Sequence, residues 1–513
     1  MTRTAFVDEL ELLIRSRYPL IVLDTWEYER SEEALRHVAS RLSLHYHEWR
    51  RSKGVRRGAG AGAGEPFADD TALPTDALRH VEREGAGIFH FPALGAHLQD
   101  PLVVAHLHDV VERFATRRGA LVISGSDVTL PESLRPHAIV VSLPAPEAED
   151  YRALMERVVR ENAARMPVRV ELTPSDRARL LHNLAGLSLT EAEKILTRLI
   201  MVDGALSAAD IPRVTEAKRQ AVEQDGLLEY WPTESGMSGV AGLEGLKEWL
   251  SRRRAAVLEP ERAQAAGLPF PKGILLLGVP GCGKSLSAKS VAHEWSLPLL
   301  RLDPGLLFDK YIGDSEKNFK RALRTAERMA PIVLWIDEIE KAFASSGGEE
   351  DGGVSRRVFG GFLSWLQDRR GDVFVVATAN DVSALPPEFI RKGRFDEVFF
   401  VDLPRAASRR AIFEIHLRKR GCDPSTLSLE PLVAASDGFS GAEIEQAIVA
   451  AQYAAFSDDA PLNQARIVHE LSATRPLSRT MAESLGALRT WARDRTVHAD
   501  GDALPPPRPV LLS

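Results

Sequence analysis

The chain has 513 residues, of which 44% are hydrophobic and 27% are charged, a composition typical of a globular protein with several domains. Its formal net charge of -7 gives no electrostatic reason to expect nucleic acid or an anionic membrane as a partner. The N-terminus lacks the features of a signal peptide, no apolar run is long enough to span a membrane, and two cysteines exclude a disulfide framework. We therefore expect a cytoplasmic location, with no nucleic acid and no membrane among the partners.

Short apolar runs alternate with helical patterns along the chain. The runs with the length of a buried strand are residues 19–24, 87–92, 119–124, 138–144, 273–278, 332–337, 372–378 and 397–404. Buried strands separated by helices are typical of parallel sheets with helices on both faces. The predicted fold class is therefore α/β.

Parts of the first half of the chain recur in the second half. LVISGSDVTLPESLR (121–135) resembles FVVATANDVSALPPEFIR (374–391), and each leads into a strand that ends in Leu-Pro. Later, LAGLSLTEAEKIL (184–196) parallels SDGFSGAEIEQAI (436–448). Matches in the same order predict two similar modules, each a sheet domain followed by a small helical lid.

The predicted boundaries follow from this repeat. The first module covers 1–225, with a sheet part to about 160 and a lid at 161–225. The second module has a large subdomain at 236–404, followed by a lid and C-terminal helices at 405–500. The tail that starts at Asp500 is rich in proline and is predicted to be disordered, with 501–513 as the bounds of the disordered segment. The low-complexity segment GVRRGAGAGAGE (54–65) is predicted to be a flexible loop.

The segment GVPGCGKS (278–285) fits the phosphate-binding pattern G-x-x-x-x-G-K-[ST] and lies between a predicted strand and a predicted helix. Glycines in such a loop let backbone N–H groups face phosphates, the lysine reaches the outer phosphates, and the serine hydroxyl can ligate Mg²⁺. A glycine-rich turn without a ligand is the alternative, which this context disfavours. The predicted nucleotide-binding residues are Gly278, Pro280, Gly281, Cys282, Gly283, Lys284, Ser285 and Leu286. Lys284 and the helix N-terminus also predict a lowered thiol pKa for Cys282.

A second motif, IVLWIDEIE (332–340), places two carboxylates directly after a buried strand. Asp337 is predicted to share Mg²⁺ with Ser285, and Glu338 to act as the general base on the attacking water. Asn380, at the end of another strand, is predicted to orient that water. The cofactors are therefore ATP and Mg²⁺.

Two arginines lie in the segment FIRKGRFD (389–396). Arg391 and Arg394 could form an ordinary surface pair. Alternatively, they could stabilise transition-state charge in a neighbouring subunit as an arginine finger.

Taken together, residues 236 to about 457 resemble an AAA+ ATPase module of the subgroup with the R-x-G-R-F-D signature. The resemblance implies ATP hydrolysis in a ring, usually a hexamer, with Arg391 and Arg394 acting in trans. It further implies that five residues lie near the nucleoside or the lid sensor: Ala241, Gly242, His416, Gly441 and Ala442.

The segment DKYIGDSEKNFKRAL (309–323) resembles the central pore loop of the same family. In that case Tyr311, Ile312 and Gly313 would grip an unfolded polypeptide. The alternative is that Tyr311 caps a core. A second pore loop would then lie at 345–354.

The first module lacks the ATPase motifs at the matching positions. TWEYERSE (25–32) stands where a phosphate loop should be, Pro92 and Ala93 replace the acidic pair, and Ser126 occupies the sensor position. This module is predicted not to hydrolyse ATP. The whole chain, on FVDELELLIRSRYPLIVLDTWEYER and the element at 476–495, resembles the "hypothetical chloroplast reading frame" family of AAA+ ATPases found in chloroplasts and bacteria.

The expected function is Mg²⁺-dependent ATP hydrolysis by a homo-oligomeric ring that remodels a protein partner. The alternative is an ATP-gated scaffold or regulator with slow turnover that threads nothing.

Overall fold

The computed structural model describes residues 3–58, 67–84, 86–126, 128–223, 226–232, 236–303, 314–343, 354–369, 371–383, 385–391 and 393–501. The chain divides into two compact units, Met1–Val214 and Thr215–Ser513. Each contains a mostly parallel sheet with helices, so the predicted α/β fold of tandem AAA+-like modules is confirmed. None of the helices in the described part of the chain is long and apolar enough to cross a membrane.

The first unit begins with a six-stranded sheet of order β3-β2-β4-β5-β1-β6, in which only β3 runs antiparallel to its neighbour. A helical region follows the sheet, and its last helix crosses the boundary between the units. The elements are α1 (Arg3–Arg15), β1 (Leu20–Asp24), α2 (Tyr28–Leu42), β2 (His45–Arg50), β3 (Gly54–Gly58), α3 (Pro74–Arg83), β4 (Gly87–Pro92), α4 (Pro101–Thr116), β5 (Gly119–Gly125), β6 (Ala138–Ser142), α5 (Ala148–Ala163), β7 (Arg169–Glu171), α6 (Pro174–Leu184), α7 (Leu189–Asp203), β8 (Ala205–Ser207) and α8 (Asp210–Glu223).

Alternation along the strands builds two cores, one on each face of this sheet. Leu20 and Val22 belong to one buried cluster, and Ile21 and Leu23 belong to the other. Because successive strand side chains point to opposite faces, a continuous apolar run can fill both cores at once. This is why the central strands lack polar alternation.

The prediction of a flexible loop at 54–65 is wrong for its first part. Gly54–Gly58 forms β3, which pairs with β2 so that Val55 lies opposite Trp49. Val55 is buried, and its N–H donates to the Thr71 hydroxyl at 2.8 Å. The hairpin is not evident from the sequence because β2 carries a glutamate, Glu48, which is a residue type typical of the surface. Glu48 is buried here because Arg50 and Arg56 pair with its carboxylate. Residues 59–66 lie outside the described residues.

The second unit contains a seven-stranded sheet of order β15-β14-β10-β13-β12-β11-β9, parallel except where β9 meets β11. Its elements are β9 (Leu228–Trp231), α9 (Glu244–Leu258), α10 (Pro260–Ala265), β10 (Gly273–Gly278), α11 (Lys284–Glu294), β11 (Leu299–Leu302), α12 (Asp314–Arg328), β12 (Ile332–Ile336), α13 (Ile339–Phe343), α14 (Val354–Asp368), β13 (Val373–Ala379), β14 (Glu397–Val401), α15 (Ala406–Lys419), α16 (Leu429–Ala435), α17 (Gly441–Ser457), α18 (Gln464–Ala473), α19 (Leu477–Thr480), α20 (Ala482–Ala492) and β15 (Val497–His498).

The central strands β10, β12 and β13 of this sheet are buried along their whole length. The strands contribute alternate residues to two separate cores, and the four lid helices α15 to α18 enclose a third. Parallel strands all present their carboxyl ends at one edge of the sheet, which is where ligands bind in such folds. The ends of β10, β12 and β13 are therefore brought together.

The C-terminal region differs from the prediction. Asp500 is not part of a disordered tail, because its carboxylate accepts a hydrogen bond from the Leu243 N–H at 2.7 Å. The element at 476–495 contacts the lid at Leu477, whose N–H donates to the Glu443 carboxylate. Further along, however, Trp491 packs against a core of the sheet. Residues 502–513 lie outside the described residues.

Candidate nucleotide site

The phosphate-loop motif forms the turn between β10 and α11. Gly278 ends the strand with φ 143°, and a Cβ atom there would lie 2.0 Å from the Val401 carbonyl oxygen of β14. Gly278 is thus required by close strand packing. Gly283, with φ 91°, immediately precedes the helix that starts at Lys284.

Lys284 is buried at the start of α11, with 6% of its surface exposed. Its Nζ donates to the carbonyls of Gly278 and Val279, each at 2.8 Å. Burial lowers the pKa of Lys284 to about 8, although nearby Cys282 and the acidic residues of the site oppose that shift. The ammonium is therefore held inside the loop, where an anion bound nearby would favour its charged form.

Asp337 joins the phosphate loop to the neighbouring strands. Its Oδ1 accepts from the Ser285 hydroxyl at 3.0 Å and from the Thr378 hydroxyl at 2.6 Å. Hydroxyl and carboxylate oxygens are ligands that Mg²⁺ prefers. The two predicted metal ligands, Ser285 and Asp337, are therefore brought together.

Glu338 and Asn380 also meet. The Asn380 Nδ2 donates to Glu338 Oε1 at 3.1 Å, and the Glu338 N–H donates to Thr378 at 3.0 Å. On its outer side, Glu338 pairs with Lys341 at 2.5 Å. A carboxylate held by an amide in this way has the arrangement needed to orient a water molecule and take its proton.

A further carboxylate lies behind this pair. Glu340 is buried, its Oε1 accepts from the Asn380 N–H at 2.9 Å, and burial raises its pKa. Glu340 therefore anchors the backbone of Asn380. The sequence gives a weak signal for this role, since a charged residue two positions after Glu338 reads as a solvent-facing helix residue.

These groups open into one cavity of about 500 Å³. That size lies within the range of small-molecule sites. The described residues that line it are Gly239, Val240, Ala241, Leu243, Pro280, Gly281, Cys282, Gly283, Lys284, Ser285, Leu286, Asp337, Glu338, Thr378, Asn380, Asp402, Pro404, Ser408, Ile412, Ile415, His416, Lys419, Gly441, Ala442, Glu445 and Asp500.

Four of the predicted site residues do not line this cavity. Gly278 and Gly242 shape the backbone beside it, whereas Arg391 and Arg394 lie elsewhere in the unit. Arg391 is exposed, and the Arg394 guanidinium donates to the Glu388 carbonyl. The predicted pore-loop residues Tyr311, Ile312 and Gly313, and most of the second pore loop, lie outside the described residues.

The predicted activation of the Cys282 thiol is wrong. Burial raises its pKa to about 12, and the proximity of Lys284 does not offset this effect. The sequence places the thiol beside a cation and a helix N-terminus, but it does not show that the lid also reaches this loop. The Ala442 N–H at the start of α17 donates to the Gly281 carbonyl at 3.0 Å.

Lid residues complete the cavity. His416 Nδ1 lies 3.2 Å from Glu445 Oε1, and burial, as the largest influence, lowers the pKa of His416. The imidazole is thus favoured in its neutral form. Gly441 and Ala442 reach the cavity at the start of α17, close to the phosphate loop.

Several residues of this site could not be identified from motifs. Thr378 lies inside a strand, and Asp402 follows another strand, where Arg489 binds it through two nitrogens at 2.7 and 2.9 Å. Asp500 comes from the far end of the chain. No local pattern in the sequence marks these residues, since each reaches the cavity through a tertiary contact.

Comparison with known proteins connects this geometry with a family. Residues 274–403 match the family model of the ATPase family associated with various cellular activities (AAA). Residues 6–143 match the N-terminal domain of SpoVK-like AAA ATPases, and residues 149–225 match their second domain.

Relatives extend the match over almost the whole chain. An uncharacterized AAA domain-containing protein ycf46 of Guillardia theta is 35% identical over 495 residues, which cover 95% of each chain. Its namesake in Pyropia yezoensis is 33% identical over 95% of this chain and 98% of its own. This chain belongs to the ycf46-type family of AAA ATPases. A 26S proteasome regulatory subunit 4 homolog of Dictyostelium discoideum is 37% identical over 42% of this chain and 50% of its own. As a member of this family, the protein is an ATPase.

Proposed function

We propose that this protein is an Mg²⁺-dependent ATPase that assembles into a ring of six copies and remodels a protein partner in the cytoplasm. The observation that carries the proposal is the hydrogen-bonded set around Asp337 and Glu338, which opens into the same cavity as Lys284. Two free cysteines agree with a reducing compartment.

The residues present fit a nucleotide with a divalent ion. Ser285 Oγ and Asp337 Oδ1 lie 3.0 Å apart and would hold Mg²⁺ between them. The ion would neutralise charge on the phosphate oxygens. Lys284 would pair with the outer phosphates, and the N–H groups at the start of α11 would add further donors.

In this proposal Glu338 and Asn380 act on the attacking water. The Asn380 amide holds Glu338 Oε1 and Lys341 pairs with Oε2, and a carboxylate oxygen with one partner keeps a further lone pair that can accept the proton of the water. The buried Glu340 keeps the Asn380 backbone in place. A pair fixed in this way needs little rearrangement when the substrate arrives.

The arginines support assembly of several copies. Among the described residues that line the cavity there is no arginine, whereas Arg391 is exposed on the surface of the same unit. We therefore place Arg391, with Arg394, at the site of a neighbouring subunit. One of the relatives is named as a proteasome regulatory subunit, which favours a protein as the substrate of this ATPase.

The proposal is tested by ATPase turnover with and without Mg²⁺, and with casein as an unfolded polypeptide, alongside light scattering in ATP. We expect Mg²⁺-dependent turnover that casein stimulates, and a ring of six copies. Slow turnover without stimulation would favour the ATP-gated scaffold instead. A pull-down with Glu338→Gln in ATP should capture the partner, and the Lys284→Ala/Glu338→Gln double variant is the control.

A further inference from the structure

The start of α9 is held by residues from the other end of the unit. Leu243 is its N-cap residue, has a left-handed backbone with φ 59°, and has no side-chain cap. A helix N-terminus leaves N–H groups without partners in the helix, and a carboxylate there is favoured by the helix dipole. Asp500 supplies it, since its Oδ1 accepts from the Leu243 N–H at 2.7 Å.

Asp500 is fixed in turn by the last strand of the sheet. β15 pairs with β14, with Val497 opposite Phe399. Beyond the strand, the Ala499 N–H donates to the Phe400 carbonyl, and the Ala499 carbonyl accepts from the Leu246 N–H, each at 2.9 Å. Ala499 is fully buried. The C-terminal segment thus reaches α9 from a rigid sheet edge.

The loop held in this way forms a wall of the nucleotide cavity. Val240, Ala241 and Leu243 line the cavity together with Asp500. Gly242, between them, has φ 70°, and a Cβ there would lie 2.7 Å from Ser408 Oγ and 3.2 Å from Asp500 Oδ1. The loop is therefore tightly confined and depends on the Asp500 contact for its shape.

The chemistry of the wall indicates which part of ATP it meets. A carboxylate accepts hydrogen bonds only and repels phosphates, whereas a nucleoside offers N–H and O–H donors. The phosphates are expected at Lys284 and the N-terminus of α11, which also line the cavity and favour anions. We infer that Asp500 is a positioning residue for the nucleoside of ATP, acting through the loop around Leu243. This inference rests on the ATP site proposed above.

The test compares ATP with inorganic tripolyphosphate, which has no nucleoside. Asp500→Ala should raise the KM for ATP about tenfold or more, as expected when a charged hydrogen-bond acceptor is lost. Its kcat and the inhibition constant of tripolyphosphate should stay at wild-type values. Asp500→Asn should restore part of the ATP affinity, because its amide oxygen can accept from Leu243. Asp494→Ala, an exposed aspartate near the same end of the chain, is the matched control.

Two results would overturn the inference: an unchanged KM in Asp500→Ala, or an equal rise in KM and in the tripolyphosphate inhibition constant. The second would mean that the variant damages the whole site. If Asp500→Ala does not fold, Asp500→Ser takes its place under the same criteria.

Lys284→Ala distinguishes a failure of this inference from a failure of the proposed ATP site. If that variant keeps the wild-type affinity for ATP, the site assignment is wrong, whereas a loss of affinity there with a normal KM in Asp500→Ala refutes only the role of Asp500.

Discussion

The two modules of this chain share a backbone feature but differ in its chemistry. Strand β12 leads into Asp337 and Glu338, whereas β4 ends at Pro92 and leads into Ala93. Glu338 and Ala93 both have a positive φ, 49° and 59°, a conformation uncommon for residues other than glycine. The turn therefore belongs to the shared fold, whereas the carboxylates at it belong to the second module alone.

The contact between sheet and lid also differs. In the second module the Ala442 N–H at the start of α17 donates to the Gly281 carbonyl of the phosphate loop, at 3.0 Å. In the first module the Leu189 N–H at the start of α7 donates to the Glu27 carboxylate, also at 3.0 Å. Glu27 is paired with Arg30 at 2.6 Å.

The difference shows how one architecture can serve two purposes. A lid joined to a loop that binds phosphate can respond to the nucleotide. A lid joined to a carboxylate of its own module has an anion at its helix N-terminus already, and such positions favour anions. We expect the first module to be structural, with a lid that stays closed in all nucleotide states.

The largest expected effect is on kcat, and it should distinguish Arg391 from Arg135, the arginine at the matching position of the first module. Arg391→Ala should keep ATP affinity and lower kcat about 10³-fold or more, because an arginine finger is worth ~10³–10⁵ in phosphoryl transfer. Arg135→Ala in the first module should leave kcat unchanged, since the Arg135 Nε donates to the Leu130 carbonyl and the first module lacks the acidic pair. Steady-state ATPase assays measure both.

Mixing variants tests whether the arginine acts between subunits. Glu338→Gln should also lose turnover, and a mixture with Arg391→Ala should recover part of the activity, because some interfaces then combine an intact Glu338 with an intact Arg391. A mixture as inactive as each variant alone means that the arginine acts in cis or that every site must be intact. Full activity of a dilute monomer would contradict the ring.

The second prediction concerns the number of ATP sites. Wild-type protein should bind one ATP per chain, and Lys284→Ala should lose about 100-fold or more in affinity, since truncating one partner of a buried charge pair costs ~2–5 kcal/mol. Lys194→Ala, an exposed lysine of the first module, is the control. Calorimetry gives the stoichiometry. An ATP affinity in Lys284→Ala equal to that of the wild type would show that the site assignment is wrong.

A smaller effect should follow pH. The pKa of Lys284 is lowered to about 8 in the free protein, and bound phosphates would favour its charged form. ATP affinity should therefore be highest below pH 8 and fall by up to about tenfold per pH unit above it. Above pH 8, ATP binding should be accompanied by uptake of a proton at Lys284. Calorimetry in buffers of different ionisation enthalpy measures that proton. Lys284→Arg should flatten the profile, and a flat wild-type profile would refute this linkage.

The smallest effect is expected in the first module. Glu27→Ala should weaken the contact with α7 by about 1.5–3 kcal/mol, the usual contribution of a hydrogen bond to a charged group, and should leave ATP turnover intact. Hydrogen exchange at the start of α7 and urea unfolding report the change. Glu29→Ala, at an exposed neighbouring position, is the control. Equal protection in both variants would show that Glu27 does not hold the lid.

Much of the fold and the centre of the site are predictable because the signals are local. The apolar runs that form β10, β12 and β13 are continuous in the sequence, and the phosphate-loop motif directly follows one of them. Asp337 and Glu338 directly follow another. Parallel strands share one carboxyl edge, so the order of these short segments along the chain is enough to place them together. The roles assigned to individual residues there stay predictions until they are tested.

Other features were decided only by tertiary structure. The raised thiol pKa of Cys282 depends on burial beneath the lid, which outweighs the effect of the adjacent Lys284. The hairpin at Gly54–Gly58 depends on Thr71 and on the pairing of the buried Glu48.

By itself the sequence determined the strands, the phosphate loop and the acidic pair, because each is a run of neighbouring residues whose backbone geometry is set over short distances. The tertiary structure alone decided which groups become buried and which distant groups meet. Ser285 bonds to Asp337 across 52 positions, and Leu243 bonds to Asp500 across 257. Burial and long-range hydrogen bonds depend on how packed elements approach one another, and no local pattern of residues specifies that approach.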